Sequence, residues 1–211
     1  MNGRIALFLH QPSCSVQSGN GIINALSDHY TFKIFTRHQV EDDFFDNVDC
    51  ICVPGGIGDA DTYDRLMINH QETIRNFVAK GGKYLGICMG AYWTGQYYFN
   101  FLKDIDCVQY IKRPGALARR PHAKNLTVQW QGSKTKMFFY DGCAIVGDLS
   151  QSNIYATYTN GDAMAVIHKN IGMIGCHPEA EPHWYQEYSW LRSKYQNNKN
   201  FLLNFVNDLV L

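Results

Sequence analysis

The sequence predicts an α/β fold, a mostly parallel sheet with helices on both faces and an antiparallel hairpin elaboration in its second half. Two observations carry this reading. Through the first half, short continuous apolar runs alternate with helix-patterned segments, as expected of strands covered on both faces. After about residue 106 the runs become short and alternating, separated by Asp141-Gly142 and Asn160-Gly161, which is the signature of antiparallel hairpins.

The elements follow in order. "RIALFLH" (4–10) is a buried strand, and 18–29 is a helix with Ile22, Ile23 and Leu26 on one face. "TFKIFT" (31–36) alternates with period two, and "VDCICVP" (48–54) is a buried strand closed by Pro54-Gly55-Gly56. Residues 59–82 read as one or two helices, with Asp59 and Asp61 favouring the N-terminal dipole and Lys80-Gly81-Gly82 as the stop. "KYLGIC" (83–88) is the next strand, and 89–102 reads as an aromatic-rich helix. Strands are expected at 126–131, 136–140, 154–159, 163–168 and 171–176, and helices at 182–195 and 198–211. No repeat or linker interrupts the chain, so 1–211 reads as one domain. Right-handed crossovers place the strand C-termini on one edge, where open α/β sheets bind ligands.

Composition narrows the function. The 211 residues carry 19 Lys plus Arg against 19 Asp plus Glu, which argues against a nucleic-acid or anionic-membrane binder. The basic run 112–124 reads as a solvated loop. The apolar run Ile5 to Leu9 is too short for a secretory h-region or a membrane span, so a cytoplasmic protein is expected. Seven cysteines show no paired spacing and read as reduced thiols, with Cys50 and Cys52 on the same side of one strand. No cofactor and no metal site is expected.

Gly86-Ile87-Cys88-Met89-Gly90 has the form G-x-C-x-G between a strand and a helix. A nucleophile at such an elbow is raised above the sheet edge, and the flanking glycines relieve crowding. The following helix N-terminus favours the thiolate, and the Met89 N–H is placed to donate to an oxyanion. Cys176-His177-Pro178-Glu179 follows another strand and supplies a base with its orienter. In extended chain His177 and Glu179 point the same way, completing a Cys-His-Glu relay. Val53-Pro54-Gly55-Gly56-Ile57-Gly58 follows a third strand, and the N–H of Gly56 or Ile57 is a second oxyanion donor. Each motif alone is weak. Their occurrence at the ends of three strands makes a site.

These motifs resemble the class I glutamine amidotransferases. "YLGICMGAYW" and "PGGIGDAD" are similar to the branch found at the N-terminus of biotin–protein ligases. The resemblance implies a flavodoxin-like fold and an amide substrate. It also implies Cys88 as nucleophile, His177 as base and acid, Glu179 as orienter, Gly56 and Met89 as oxyanion donors, and Gly55, Ile57 and Tyr92 at the substrate. Two positions depart from the pattern: Tyr92 replaces a Gln four residues after the nucleophile, and Cys176 replaces an aromatic before H-P-E. The substrate is then glutamine-like, a γ-glutamyl compound or another amide, and any released ammonia needs a separate synthase or acceptor protein. The alternative is a catalytically silent binding or regulatory module of the same fold. His183 and Trp184 read as pocket or packing residues, Glu181 as a rival orienter that Pro178 and Pro182 disfavour, and His10 as a polar strand end.

Overall fold

The computed structural model describes residues 3–210. Met1 and Asn2, and Leu211 at the end of the expected last helix, lie outside them. The strands are β1 (Arg4–Phe8), β2 (Thr31–Phe35), β3 (Cys50–Val53), β4 (Lys83–Ile87), β5 (Ile105–Gln109), β6 (Lys124–Trp130), β7 (Ser133–Phe139), β8 (Cys143–Gly147), β9 (Asn153–Tyr158), β10 (Ala163–His168) and β11 (Ile171–Ile174). The α-helices are α1 (Val16–Leu26), α2 (Ala60–Met67), α3 (Gln71–Ala79), α4 (Met89–Tyr92), α5 (Pro182–Gln186) and α6 (Lys199–Val210).

All strands join one sheet, ordered β2-β1-β3-β4-β11-β10-β9-β6-β7, with β8 on β10 and β5 on β8. The pairs from β2 to β11 are parallel, and every pair beyond β11 is antiparallel. The sheet therefore has a parallel half built mostly from the first part of the chain and an antiparallel half built from 105–168. β11 crosses back to pair with β4, which brings the chain after Ile174 beside the chain after Ile87.

Period-two alternation divides the core. Ile5 and Leu7 of β1 share a cluster with Ile22 and Leu26 of α1 and Leu202 and Phe205 of α6. Ala6 and Phe8 share another with Leu66 of α2 and Ile74 of α3. Cys50 and Cys52 fall together in the first cluster while Ile51 and Val53 fall in the second, as alternation in β3 requires. Asp59 caps α2, its carboxylate accepting from the Thr62 N–H at 2.7 Å. Hydrogen bonding from the Thr62 hydroxyl, together with that backbone bond, holds its pKa below the usual range. Among the described residues no helix is long and apolar enough to cross a membrane.

Two expectations change. The helix expected over 89–102 stops at Tyr92. The chain then turns, with Phe99 N–H reaching back to Trp93 O and Asn100 in the left-handed region. Packing explains the break. Trp93 and Phe99 turn edge-on to Tyr63, and Phe99 and Phe101 pack on Tyr84, an arrangement one straight helix face does not allow. Likewise the helical segment expected over 182–195 is helical only as α5, followed by turns that pack Leu191 and Tyr195 near Tyr185. β5 and β8 had no separate signal in the sequence; they pair with each other along their full lengths.

Candidate active site

Cys88 follows β4 with φ +51° and ψ −101°, a conformation that a residue with a Cβ rarely adopts. The neighbouring glycines are needed because backbone crosses backbone here. A Cβ on Gly86 would overlap the Gly90 carbonyl, and one on Gly90 would overlap the Val53 carbonyl. The Cys88 N–H donates to Ile174 O at 2.8 Å, which ties the elbow to the end of β11. Its thiol donates to the Tyr140 carbonyl at 3.7 Å.

His177 lies just past β11, and its own N–H donates to Phe138 O at 2.9 Å. Its ring Nδ1 is 2.8 Å from Glu179 Oε1, which leaves Nε2 for the opposite side of the ring. His177 is 5% exposed and Glu179 is 0% exposed, so this is a pair shielded from solvent. Burial works against charge on the imidazole, but the Glu179 carboxylate and the Cys88 sulfur outweigh it and raise its pKa to about 10. Glu181 is engaged elsewhere, by Asn24 at 3.0 Å and Lys199 at 3.7 Å. Glu179 is therefore the carboxylate at the histidine.

The glycine loop after β3 meets the same point. Gly55 has to be glycine, since a Cβ there would lie 2.7 Å from His177 Cε1. The Ser15 N–H donates to Gly55 O at 2.8 Å, and the Ile57 N–H donates to Ser13 O at 2.9 Å. Ile57 is thus not a free donor, and its side chain is exposed. The N–H groups of Gly56 and Met89 have no acceptor among the described residues.

A cleft of about 170 Å³ opens above Cys88, Gly55, Gly56 and His177. Its walls are Phe138, Tyr140, Trp184 and Tyr188, with Gln17 and Glu187 hydrogen-bonded to each other at 2.7 Å. Neither Ile57 nor Tyr92 lines it. The Tyr92 hydroxyl instead donates to Asp141 O at 3.1 Å, bracing the loop that carries the Tyr140 carbonyl. His183 is exposed and His10 stacks beside Phe8, also away from the cleft. Trp184 both packs edge-on to Phe138 and faces the cleft.

Sequence reasoning missed Ser18 and the wall residues Phe138, Tyr140 and Tyr188. Ser18 is fully buried in the first turn of α1, where a serine is unremarkable in sequence, so no local signal marked it. Phe138 and Tyr140 lie far from the motifs in sequence and arrive through a bridge between Phe138 and His177, whereas Tyr188 comes from the turns after α5.

The fold is shared with glutamine amidotransferases. A glutamine amidotransferase from Thermotoga maritima superposes with a TM-score of 0.70 at 11% identity, covering 100% of this chain and 99% of that one. PurLQS from Thermotoga maritima gives 0.67 at 15% identity, covering 99% and 100%. A glutamine amido transferase from Methylobacillus flagellatus gives 0.62 at 11% identity, covering 100% and 93%. More particularly, residues 11–105 match the family described as biotin-protein ligase, N terminal. The chain therefore has the fold of the glutamine amidotransferases, and its residues 11–105 are similar to that family. No curated protein matches it in sequence.

Proposed function

We propose that this chain is a cysteine-dependent amide hydrolase or amidotransferase-like enzyme, acting through Cys88, His177 and Glu179. The observation that carries the reading is the strained Cys88 elbow facing a buried histidine–carboxylate pair across an open cleft. With its pKa near 10, His177 is charged at neutral pH and stabilises the thiolate once the Cys88 thiol loses its proton to solvent. The thiolate adds to the amide carbonyl, forming a C–S bond while the carbonyl oxygen becomes an oxyanion. The Gly56 and Met89 N–H groups are the available donors for that oxygen. His177 gives its proton to the leaving nitrogen, the C–N bond breaks, and a thioester remains. Water then attacks the thioester carbonyl while His177 takes its proton. The C–S bond breaks, the acid leaves, and the ion pair is restored. Glu179 holds the ring so that Nε2 faces the reaction.

The cleft suits an amide other than free glutamine. Among the described residues its lining carries no Lys or Arg to pair with an α-carboxylate, one exposed carboxylate at Glu187, and four aromatic side chains. A γ-glutamyl or peptide-like amide with an apolar or cationic far end fits those walls. Ammonia released by such a reaction either leaves to solvent or passes to a separate synthase or acceptor protein. We place the enzyme in the cytoplasm on the strength of its reduced thiols.

The test is intact-mass labelling with a glutamine-like chloroketone, beside Cys88→Ala and His177→Ala, with iodoacetamide as a second probe. Labelling of Cys88 by iodoacetamide but weakly by the chloroketone is expected. Strong, His177-dependent chloroketone labelling would restore glutamine as substrate. No preference for Cys88 with either reagent would leave a silent binding module.

A further inference from the structure

Ser18 joins the two arms of the site. Its hydroxyl lies 2.7 Å from Glu179 Oε1 and 3.0 Å from the Gly55 nitrogen, and the residue is 0% exposed. The proton directions are fixed by inventory. A backbone N–H only donates, so Gly55 donates to Ser18 Oγ. The hydroxyl has one proton, and the carboxylate is its acceptor. Glu179 Oε1 therefore accepts from both Ser18 and His177 Nδ1, while Oε2 has no partner among the described residues. The result is one chain: Gly55 N–H to Ser18 O–H to Glu179, met from the other side by His177. In a buried chain of this kind each bond polarises the next.

The placement depends on local sequence. Ser15 caps α1, its Oγ accepting from the Ser18 N–H at 3.1 Å. Gly21, one turn on, has no Cβ because one would overlap the Glu179 carbonyl oxygen. α1 can therefore lie directly against the segment carrying Glu179. The same turn handles the glycine loop from two sides: Ser15 N–H holds Gly55 O and Ser18 Oγ holds Gly55 N–H. In a trans peptide the N–H points opposite to the carbonyl. Fixing Gly55 O thus aims the Gly56 N–H away from Ser15.

We propose that Ser18 is a positioning residue for the Cys88 reaction, keeping Glu179 oriented and holding the Gly55–Gly56 loop in donor geometry. This rests on the hydrolase reading above. The experiment is the second-order rate of iodoacetamide alkylation at Cys88, resolved by peptide mapping, from pH 5 to pH 9, in wild type, Ser18→Ala and Ser18→Thr. Thermal melts of all three run alongside.

Removing a hydrogen bond to a charged group is expected to slow Ser18→Ala about tenfold or more at neutral pH. With Glu179 less firmly held, it supports the charge on His177 less well, so the acid limb of the profile moves to higher pH. Ser18→Thr keeps the hydroxyl and recovers most of the rate. Should Ser18→Ala fail to fold, Ser18→Cys, a weak donor of similar size, is expected to fall between wild type and no reaction. If wild-type Cys88 reacts preferentially but Ser18→Ala keeps its rate and acid limb, the role of Ser18 is overturned and the hydrolase stands. A lower melting temperature with an unmoved limb also overturns it, as a structural role only. If wild-type Cys88 reacts no faster than the other thiols, the hydrolase reading falls, and the Ser18 role falls with it.

Discussion

The parallel and antiparallel halves of the sheet meet at Cys88 but contribute different things. The parallel half supplies the groups proposed to react: Cys88 after β4, the glycine loop after β3, and His177 with Glu179 after β11. The antiparallel half supplies a wall, with Phe138 at the end of β7 and Tyr140 just beyond it. The first group is fixed by crossings of backbone on backbone and by buried hydrogen bonds. The second consists of side chains with open space in front of them. The difference teaches that chemistry and selectivity are mechanically separable here, and substitutions on each side should have different signatures.

Breaking the parallel side gives the largest effect. Gly90→Ala pushes a methyl into the Val53 carbonyl, and backbone cannot move aside as a side chain can. It is expected to cost about 3 kcal/mol or more, read as a lower urea midpoint. A midpoint unchanged from wild type would show that the elbow is not held by that crossing.

Touching only the wall should separate binding from reactivity. Tyr140 is half exposed, and its contact with the thiol is through its backbone carbonyl. Tyr140→Ala is expected to weaken a peptide-amide competitor of chloroketone labelling about threefold to tenfold, on the scale of a lost aromatic contact. Its iodoacetamide rate should stay at the wild-type value. An equal fall in both would mean the two halves are not separable.

What could be read in advance follows the same division. The elbow, the H-P-E segment and the Pro-Gly-Gly loop were legible because backbone crowding demands glycine at fixed positions, and proline fixes the chain beside His177. The parallel strands were legible as continuous apolar runs. The break after Tyr92 was not, since the aromatic spacing of 92–101 suits a helix until Tyr63 and Tyr84 are known to lie across from it. Tyr140 and Tyr188 were illegible for a related reason. Tyr140 reaches the cleft by pairing distant in sequence, and Tyr188 through the turns that replace the expected helix after α5, which no local pattern records. The resemblance put Ile57 and Tyr92 at the substrate, yet the Ile57 N–H is taken by Ser13 and the Tyr92 hydroxyl by Asp141.

A smaller effect tests the charge on the parallel side. The folded pKa of His177, about 10, lies above its ordinary value of 6.5. Its charge therefore contributes stability that is fully present below pH 6.5 and is lost as pH rises through about 10. The stability deficit of His177→Gln in urea should be largest at pH 6 and shrink at pH 8 and again at pH 10. A deficit that grows with pH would mean the histidine is buried neutral.

The smallest effect concerns the mouth of the cleft. Glu187 is exposed, so its charge is screened. Cationic methanethiosulfonates are expected to modify Cys88 faster relative to anionic ones than they modify mercaptoethanol, and Glu187→Gln should reduce that preference about threefold. An unchanged ratio would remove Glu187 from substrate selection.

The most direct measurement compares thiols within one molecule. All seven cysteines are free and buried. Burial pushes Cys14 up to about 11, and it also raises Cys50, Cys52 and Cys176. Iodoacetamide alkylation, followed at pH 7 by peptide mapping, gives a rate for each site in wild type and in His177→Gln. Cys88 is expected to react well ahead of the other six, and His177→Gln to slow Cys88 about a hundredfold while leaving the others unchanged. Equal rates at all sites, or a Cys88 rate indifferent to His177, would contradict the hydrolase reading.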